Sequence, residues 1–141
     1  MATLWSKGVS ADSLVEKFTV GRDREFDVRL APFDVKGSLA HIKMLESIGL
    51  LTSAELSTLT RELEKILDEI EAGDFILSKD VEDIHSQIEL TLVLRIGEVG
   101  KKIHSGRSRN DQVLTDIKLY LKWEIDKIRD EIVSLFDLLQ N

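Results

Sequence analysis

The sequence has no cysteine and a single proline, Pro32, among its 141 residues. Without cysteine the chain can form neither a disulfide nor a thiolate metal site, and a reducing compartment fits best. No apolar run approaches the roughly 20 residues of a membrane span, and the first residues lack the apolar segment of a signal peptide. These absences predict a cytoplasmic protein without a membrane partner.

An excess of positive charge is also absent, because 19 lysine and arginine residues face 26 acidic ones and the net charge is −7. Proteins that bind nucleic acid usually carry a basic face, so this balance argues against a nucleic-acid partner. Residues 101–109 are the exception, since they include no acid and four cations, Lys101, Lys102, Arg107 and Arg109. Such a patch indicates a small anionic ligand, and the alternative is a solvated turn.

Helical spacing of apolar residues runs through the sequence and predicts an all-α fold. Residues 1–11 have no periodicity and are predicted to form an extended arm. Ser13 and Glu16 have the spacing of a capping box. They predict a short helix that ends near Phe18, followed by a loop over residues 19–23.

A helical hairpin is predicted over residues 33–73. The apolar residues of its first half recur with helical spacing up to Gly49, which is a typical helix stop. Thr52 and Glu55 have the spacing of a capping box at the start of the second helix, and Gly73 is predicted to end it.

A third helix is predicted to begin near Val81, with Ser78 or Asp80 as its N-cap and Asp83 in its first turn. Its apolar stripe consists of residues that recur at every fourth position: Ile84, Ile88, Leu92 and Ile96. Glycines close it, and residues 100–106 are predicted to form a flexible joint.

A long helix is predicted after Gly106, because the remaining 35 residues include neither glycine nor proline. Aliphatic side chains recur along it at steps of three and four: Ile117, Leu121, Ile125, Ile128, Ile132, Leu135 and Leu139. This nearly heptad stripe needs a partner surface, so we expect the chain to self-associate through it. The helix has no C-cap signal, and the chain is expected to stop within it.

The residues with the clearest chemistry lie just before this helix, in the run Lys102-Ile-His-Ser-Gly-Arg-Ser-Arg-Asn-Asp-Gln-Val113. Arginine presents a planar fork that matches a carboxylate, asparagine adds amide donors, and the first turn of a helix exposes backbone N–H groups. These residue types favour a site for a carboxylate ligand. The alternative is a capped helix start, with Ser108 or Asn110 as the N-cap and the arginines in solvent.

Residues 106–112, Gly-Arg-Ser-Arg-Asn-Asp-Gln, resemble the first signature region of the argininosuccinate lyases and the related δ-crystallins. Further segments match in the family's order: Leu4-Trp5, Asp34-Val-Lys-Gly-Ser-Leu-Ala-His41, Gly49-Leu-Leu-Thr52 and Glu82-Asp-Ile-His85. The resemblance therefore covers the whole chain, which corresponds to roughly the first third of such an enzyme.

The resemblance implies the β-elimination of argininosuccinate to arginine and fumarate, a step of arginine biosynthesis, without a metal or an organic cofactor. It assigns substrate binding to six residues at matching positions: Arg109, Asn110, Ser108, Gln112, His85 and Asp83. The first two would bind substrate carboxylates, the next two would shape the site, and the last two would support it.

The resemblance also implies that this segment contains no catalytic acid or base. In the family a Thr-His pair and a Gly-Ser-Ser loop supply these groups, and both would lie beyond residue 141. The family's active sites are assembled from three subunits of a homotetramer, so the segment alone is expected to be inactive. The implied fold is a small N-terminal helical domain, residues 1–105, followed by the truncated first long helix of a central bundle, residues 106–141.

Two features depart from the family's pattern. The family's Gly-Gly-Arg-Phe does not follow Leu4-Trp5. Its Phe-x-x-Ser has no counterpart after Phe18, where Thr19 is the candidate for the serine's place.

Other interpretations stay open at this point. Adenylosuccinate lyase and aspartate ammonia-lyase belong to the same superfamily, a crystallin-like structural protein uses the same scaffold, and a free-standing helical interaction module is a further class. For the histidines, His85 is alternatively a surface residue paired with Glu89, and His41 and His104 are interpreted as structural.

Overall fold

The computed structural model describes residues 18, 23–78 and 81–140. The α-helices in this part of the chain are α1 (Asp23–Asp27), α2 (Ala31–Ser47), α3 (Ser53–Ala72), α4 (Ile84–Ile96), α5 (Glu98–Lys101) and α6 (Arg109–Gln140). Two 3-10 turns, Val28–Leu30 and Lys102–His104, join α1 to α2 and extend α5. None of the described residues forms a strand, which confirms the all-α prediction.

The region before α2 differs from the prediction where it is described. The predicted loop included Asp23, but α1 begins there, and a 3-10 turn leads from it into α2. The carboxylate of Asp27 accepts a hydrogen bond from the backbone N–H of Ile84, which ties this segment to the start of α4. A contact across 57 residues leaves no local pattern in the sequence. The predicted arm, residues 13–17 of the predicted short helix and the position of Thr19 lie outside the described residues, and Phe18 is helical as predicted.

The α2–α3 hairpin forms as predicted, although α2 begins two residues earlier, with Pro32 in its first turn. Gly49 turns the chain with a φ of 79°, a conformation in which a side chain would be strained. Thr52 and Glu55 complete the predicted capping box, in which each side chain accepts a hydrogen bond from the other residue's backbone N–H. Gly73, with a φ of 78°, ends α3 as predicted.

The core lies between α2, α3 and α4, whose apolar faces meet. Its fully buried aliphatic side chains come from all three helices: Val35, Ile42, Leu45, Leu59, Leu63, Ile66, Ile84, Ile88 and Leu92. Burial of a large aliphatic side chain contributes about 1.5–3 kcal/mol, so this cluster holds the three helices together. The predicted stripe of α4 is therefore confirmed as its core-facing side.

The predicted start of α4 was wrong, because the helix begins at Ile84 and not near Val81. Asp83 is the N-cap: its backbone is extended, and its carboxylate accepts a hydrogen bond from the backbone N–H of Ser86 at 2.8 Å. The prediction of Ser78 as the cap was wrong, and Asp80 lies outside the described residues. An aspartate is as good an N-cap as a serine, so propensity alone does not choose between these positions.

The segment between α4 and α6 is more regular than the predicted flexible joint. Helix α5 and the second 3-10 turn occupy most of it. A Cβ atom at Gly100 would lie 2.7 Å from backbone atoms of Leu92 and Val93, so the absence of a side chain lets α5 fold back onto α4. Gly106, with a φ of 70°, then leads the chain into α6.

Helix α6 has 32 residues and is roughly 48 Å long. Its first half packs against α2, where the ring of Phe33 lies 5.7 Å from that of Tyr120 and 6.1 Å from that of Trp123. The seven predicted stripe residues of α6, which we call the α6 stripe, are all exposed, from 37% for Ile117 to 77% for Leu139. The described part of the chain thus leaves this stripe uncovered. Among the described residues, no helix combines the length and apolarity needed to cross a membrane.

Replacement of Gly100 by alanine is expected to destabilise the chain by about 1–3 kcal/mol, because the new methyl group would overlap the backbone of α4. Gly37→Ala is the matched control. A Cβ atom at Gly37 would meet its nearest neighbour at an ordinary 3.5 Å, and alanine is the better helix former. Urea unfolding of the two variants measures the difference, and equal stability would contradict the close approach of α5 to α4.

Candidate functional site

A cavity of about 420 Å³ opens where the start of α4 meets the start of α6. Its walls are formed by His85, Ser86, Glu89, His104, Arg107, Ser108, Arg109 and Gln112. Four of the six predicted substrate-binding residues are among them. The cavity therefore brings together two segments that the sequence analysis singled out separately, residues 82–85 and 106–112.

The side chain of Arg109 is oriented by the residues that begin α4. Its Nη1 lies 2.8 Å from a carboxylate oxygen of Glu82, and its Nε lies 2.9 Å from one of Asp83. Its Nη2 donates a hydrogen bond to the hydroxyl of Ser86 at 2.9 Å. The guanidinium is thus held on three sides, and the interpretation of a solvated arginine was wrong for this residue. Asp83 joins the site through this contact, although it does not line the cavity.

The other predicted residues of the motif differ in position. Ser108 forms a reciprocal cap with Asp111: its hydroxyl donates to the carboxylate at 2.7 Å and accepts from the backbone N–H at 3.4 Å. The hydrogen bond from the Ser108 hydroxyl is the largest of the effects that lower the pKa of Asp111. Gln112 is buried at the cavity wall. Asn110 is exposed on the first turn of α6 and does not line the cavity.

His85 is buried, and the interpretation of a surface histidine paired with Glu89 was wrong. Its Nδ1 lies 2.8 Å from Oδ1 of Asp34 on α2 and 3.5 Å from Oδ2 of Asp116 on α6. We call Asp34, His85 and Asp116 the buried triad. Because its members come from three helices, the triad fixes how α2, α4 and α6 meet behind the cavity.

The buried triad contains polar atoms that have no hydrogen-bond partner among the described residues. They are Oδ2 of Asp34, both carboxylate oxygens of Asp116, and Nε2 of His85. One ligand atom from each residue lies within 4.8 Å of the others, so these three side chains are the described group with the spacing to hold a metal ion. The 2.8 Å contact between Nδ1 of His85 and Oδ1 of Asp34 has the length of a direct hydrogen bond, so these two side chains already have each other as partners.

The electrostatics of the triad shift two pKa values. Burial, together with the negative charge of Asp34, raises the pKa of Asp116 to about 7. Burial by itself would lower the pKa of His85, but the hydrogen bond to Asp34 and the charges of Asp34, Asp116 and Asp83 outweigh it, and the pKa is raised. Protons are therefore held more tightly in this cluster than in an exposed one.

The remaining basic residues of the 101–109 patch do not all face the cavity. Lys101 pairs with Glu98, and Lys102 pairs with Glu55 of the capping box at 2.6 Å. The contact with Lys102 is the main cause that lowers the pKa of Glu55 to about 2. Both lysines therefore have partners within the fold.

The histidines other than His85 have separate positions. Nε2 of His41 contacts the backbone carbonyl of Ser105 at 3.0 Å, which agrees with its structural interpretation. His104 is exposed on the wall of the cavity.

Sequence reasoning missed several residues of this site. Ser86 is a partner of Arg109, and Arg107, which was predicted only as part of the basic patch, lines the cavity and donates to the Ser38 hydroxyl at 3.0 Å. Asp34 was noticed only as the first residue of a matching segment, and Asp116 was assigned no role. For these two acids, the available signal was their position on the core-facing side of a helix, where unpaired acids are rare.

Comparison with known proteins assigns the class. The family model described as "Lyase" matches residues 6–141, and the chain belongs to this lyase family. Within it, the chain is similar to argininosuccinate lyases. It is 57% identical over 136 residues to that of Bacteroides thetaiotaomicron, covering 96% of this chain and 30% of that protein. It is 48% identical over 132 residues to the argininosuccinate lyase of Thermotoga neapolitana, covering 94% of this chain and 33% of that protein.

The argininosuccinate lyase of Methylococcus capsulatus is 53% identical over 126 residues, 89% of this chain and 27% of that protein. The chain thus spans about a third or less of the length of these curated relatives. The resemblance seen in the signature segments is confirmed along nearly the whole chain.

The raised pKa of Asp116 predicts how stability depends on pH. Folded Asp116 keeps its proton up to about pH 7, whereas an unfolded aspartate loses it near 3.8. The contribution of protonated Asp116 to the free energy of unfolding is therefore lost as the pH rises from about 4 to 7. The contribution of His85, whose pKa is also raised, is lost as the pH rises above 6.5 and through its folded pKa.

Asp116→Asn, which is neutral at every pH, should remove most of this dependence. Relative to wild type, its stability is expected to rise by more than about 1 kcal/mol between pH 5 and pH 8. Urea unfolding across this range is the measurement, with the exposed Asp130→Asn on the same helix as control. Parallel pH curves for all three proteins would show that Asp116 is not a protonated group in the fold.

Proposed function

We propose that this chain is the N-terminal part of an argininosuccinate lyase that splits argininosuccinate into arginine and fumarate by β-elimination. Residues 1–105 are the small N-terminal domain, and residues 106–141 begin the central helical bundle. The observation that carries the proposal is the position of Arg109, held by Glu82, Asp83 and Ser86 at the wall of the cavity. Two sequence segments that resemble the same enzyme family meet at this guanidinium.

The site suits a ligand with several carboxylates. Arg107, Arg109, His85 and His104 line one cavity, and Glu89 is the acid among the lining residues. Arginine carries five N–H donors, and the contacts with Glu82, Asp83 and Ser86 account for three of those on Arg109. Because Glu82 is the more exposed of the two acids, a substrate carboxylate can displace it while Asp83 and Ser86 keep the guanidinium in place.

The contribution of this segment to catalysis is electrostatic. In the β-elimination a base removes a proton from the carbon next to a carboxylate, and an acid protonates the departing guanidino nitrogen. Negative charge grows on that carboxylate when the proton leaves, and it is relieved when the C–N bond breaks. Preorganised donors that meet such charge are usually the largest catalytic effect, and Arg109 with Asn110 would supply them.

The remaining parts of the proposal concern the whole enzyme. The base and the acid lie in later segments, so this chain alone turns over no substrate. The active enzyme is a cytoplasmic homotetramer of arginine biosynthesis, in which three subunits contribute to each active site. The exposed α6 stripe supports this assembly, since it offers an apolar surface to other helices of the bundle.

In the enzyme that contains this chain, Arg109→Lys and Asn110→Ala are each expected to lower kcat/KM by on the order of 10²-fold. Lysine keeps the charge of Arg109 but cannot reproduce its planar fork. Steady-state kinetics test this, with Arg129→Lys as the control, because Arg129 is an exposed arginine of the same helix that pairs with Asp126 and Asp130. Near-wild-type kinetics for both site variants would show that residues 106–112 serve only as a capped helix start.

The chain itself is expected to self-associate through the α6 stripe. Seven exposed aliphatic side chains on one face outweigh the roughly 4–15 kcal/mol of translational and rotational entropy lost on association. Leu121→Lys combined with Ile128→Lys should give a monomer by light scattering after size exclusion. The control places two lysines off the stripe, at Ser134 and Gln140. A monomer mass for the wild type at every concentration would rule out the association.

A further inference from the structure

His85 is held in a way that leaves one of its two ring nitrogens for a ligand. Its Nδ1 contacts Asp34 at 2.8 Å, while its Nε2 has no partner among the described residues. The ring also lines the cavity beside Ser86 and Gln112. A buried polar atom without a partner is costly, which favours a role in which a bound molecule supplies the missing contact.

We propose that Asp34 and Asp116 are positioning residues that keep His85 as an imidazolium, with Nδ1–H donating to Asp34 and Nε2–H presented to a carboxylate in the cavity. The inference rests on the proposed function for the identity of the ligand, but not for the state of His85. Neither acid lines the cavity, so both act through the imidazole ring.

The geometry supports the assignment of the protons. A carboxylate only accepts hydrogen bonds, so the 2.8 Å contact requires the proton to be on Nδ1 when Asp34 is ionised. Asp116, whose Oδ2 lies 3.5 Å from the same nitrogen, adds a second negative or proton-sharing group on that side of the ring. Ionised Asp34 favours a charged imidazole, as any opposite charge within a few ångströms does, and Asp116 adds to this effect once it loses its proton near pH 7.

Groups from every neighbouring element act on His85. Asp34 faces it from α2 and Asp116 from α6, and Asp83 adds negative charge from the start of its own helix. Asp27 of α1 also interacts with its charge, and Arg107 acts on Asp116 from the turn before α6. Acids outnumber the single arginine among these groups, which agrees with a protonated ring.

Nitrogen-15 NMR of the chain tests the state of His85 without any substrate. The sequence has only three histidines, so His41 and His104 serve as internal references. We expect His85 to titrate above the roughly 6.5 of an unperturbed histidine and, once neutral, to carry its proton on Nδ1. Asp34→Asn and Asp116→Asn should each lower its midpoint by about one pH unit or more, and Asp130→Asn should not.

A neutral His85 protonated on Nε2 would overturn the proposal. A titration midpoint of His85 that Asp116→Asn leaves unchanged would also overturn it. The tautomer is measured in the wild type, so the test does not depend on the stability of a variant. A second readout concerns the ligand. In the enzyme that contains this chain, Asp116→Asn should move the alkaline limb of the kcat/KM pH profile down by the same shift as the His85 midpoint.

A shifted midpoint with an unmoved limb would show that His85 does not meet the substrate, and would overturn the proposal. Whether the enzyme that contains this chain turns over argininosuccinate decides the lyase assignment separately. Failure of the proposal about His85 is therefore distinguishable from failure of the lyase assignment.

Discussion

The attachment of α6 to the start of α4 is the constraint on which the rest of the site depends. Helix α6 has 32 residues, yet the buried ones within it are only Gln112 and Asp116, both among its first eight residues. Arg109 adds ion pairs to Glu82 and Asp83 at the same end. Together with the packing of Phe33 against Tyr120 and Trp123, these contacts set the direction of the helix and bring its first residues to the cavity wall.

The buried triad lies directly behind this attachment. The free-energy cost of burying its charged groups requires its three side chains to keep a fixed arrangement. Charged groups that lose their hydration must be compensated by partners, and removal of one partner from a buried pair typically costs about 3–5 kcal/mol. Asp34, His85 and Asp116 compensate each other only while α2, α4 and α6 keep their present arrangement. Apolar side chains of similar size would hold three helices together as well, so stability alone does not account for charges at this place.

Local patterns in the sequence were sufficient for the parts of the fold that depend on local interactions. The hairpin, the Thr52–Glu55 capping box and the glycine stops follow from residues within a few positions of each other. The first helix, the start of α4 and the regular segment around Gly100 depend on contacts between distant residues, and these predictions failed. Spacing along a helix indicates which residues share a face, but not what packs against that face.

The candidate site was predicted to a similar extent. The family resemblance identified Ser108, Arg109, Gln112 and His85, which meet at one cavity, and Asp83, which holds Arg109. It gave no reason for the contact between His85 and Asp34, which joins residues 51 positions apart. The pairing of His85 with Glu89 was an inference from helical spacing, and burial of the ring excludes it.

The central claim is that the acids at the start of α4 act through Arg109 to build a carboxylate-binding wall. A double-mutant cycle on kcat/KM tests it most directly, in the enzyme that contains this chain, with Asp83→Asn and Arg109→Lys singly and together. Asparagine retains the N-cap of α4, so Asp83→Asn removes the negative charge that pairs with Arg109 without removing the cap. The account predicts that the double variant is hardly worse than the poorer single one, with a coupling energy of at least about 1 kcal/mol. If the fold-losses in kcat/KM of the two single variants simply multiply in the double variant, the claim is contradicted.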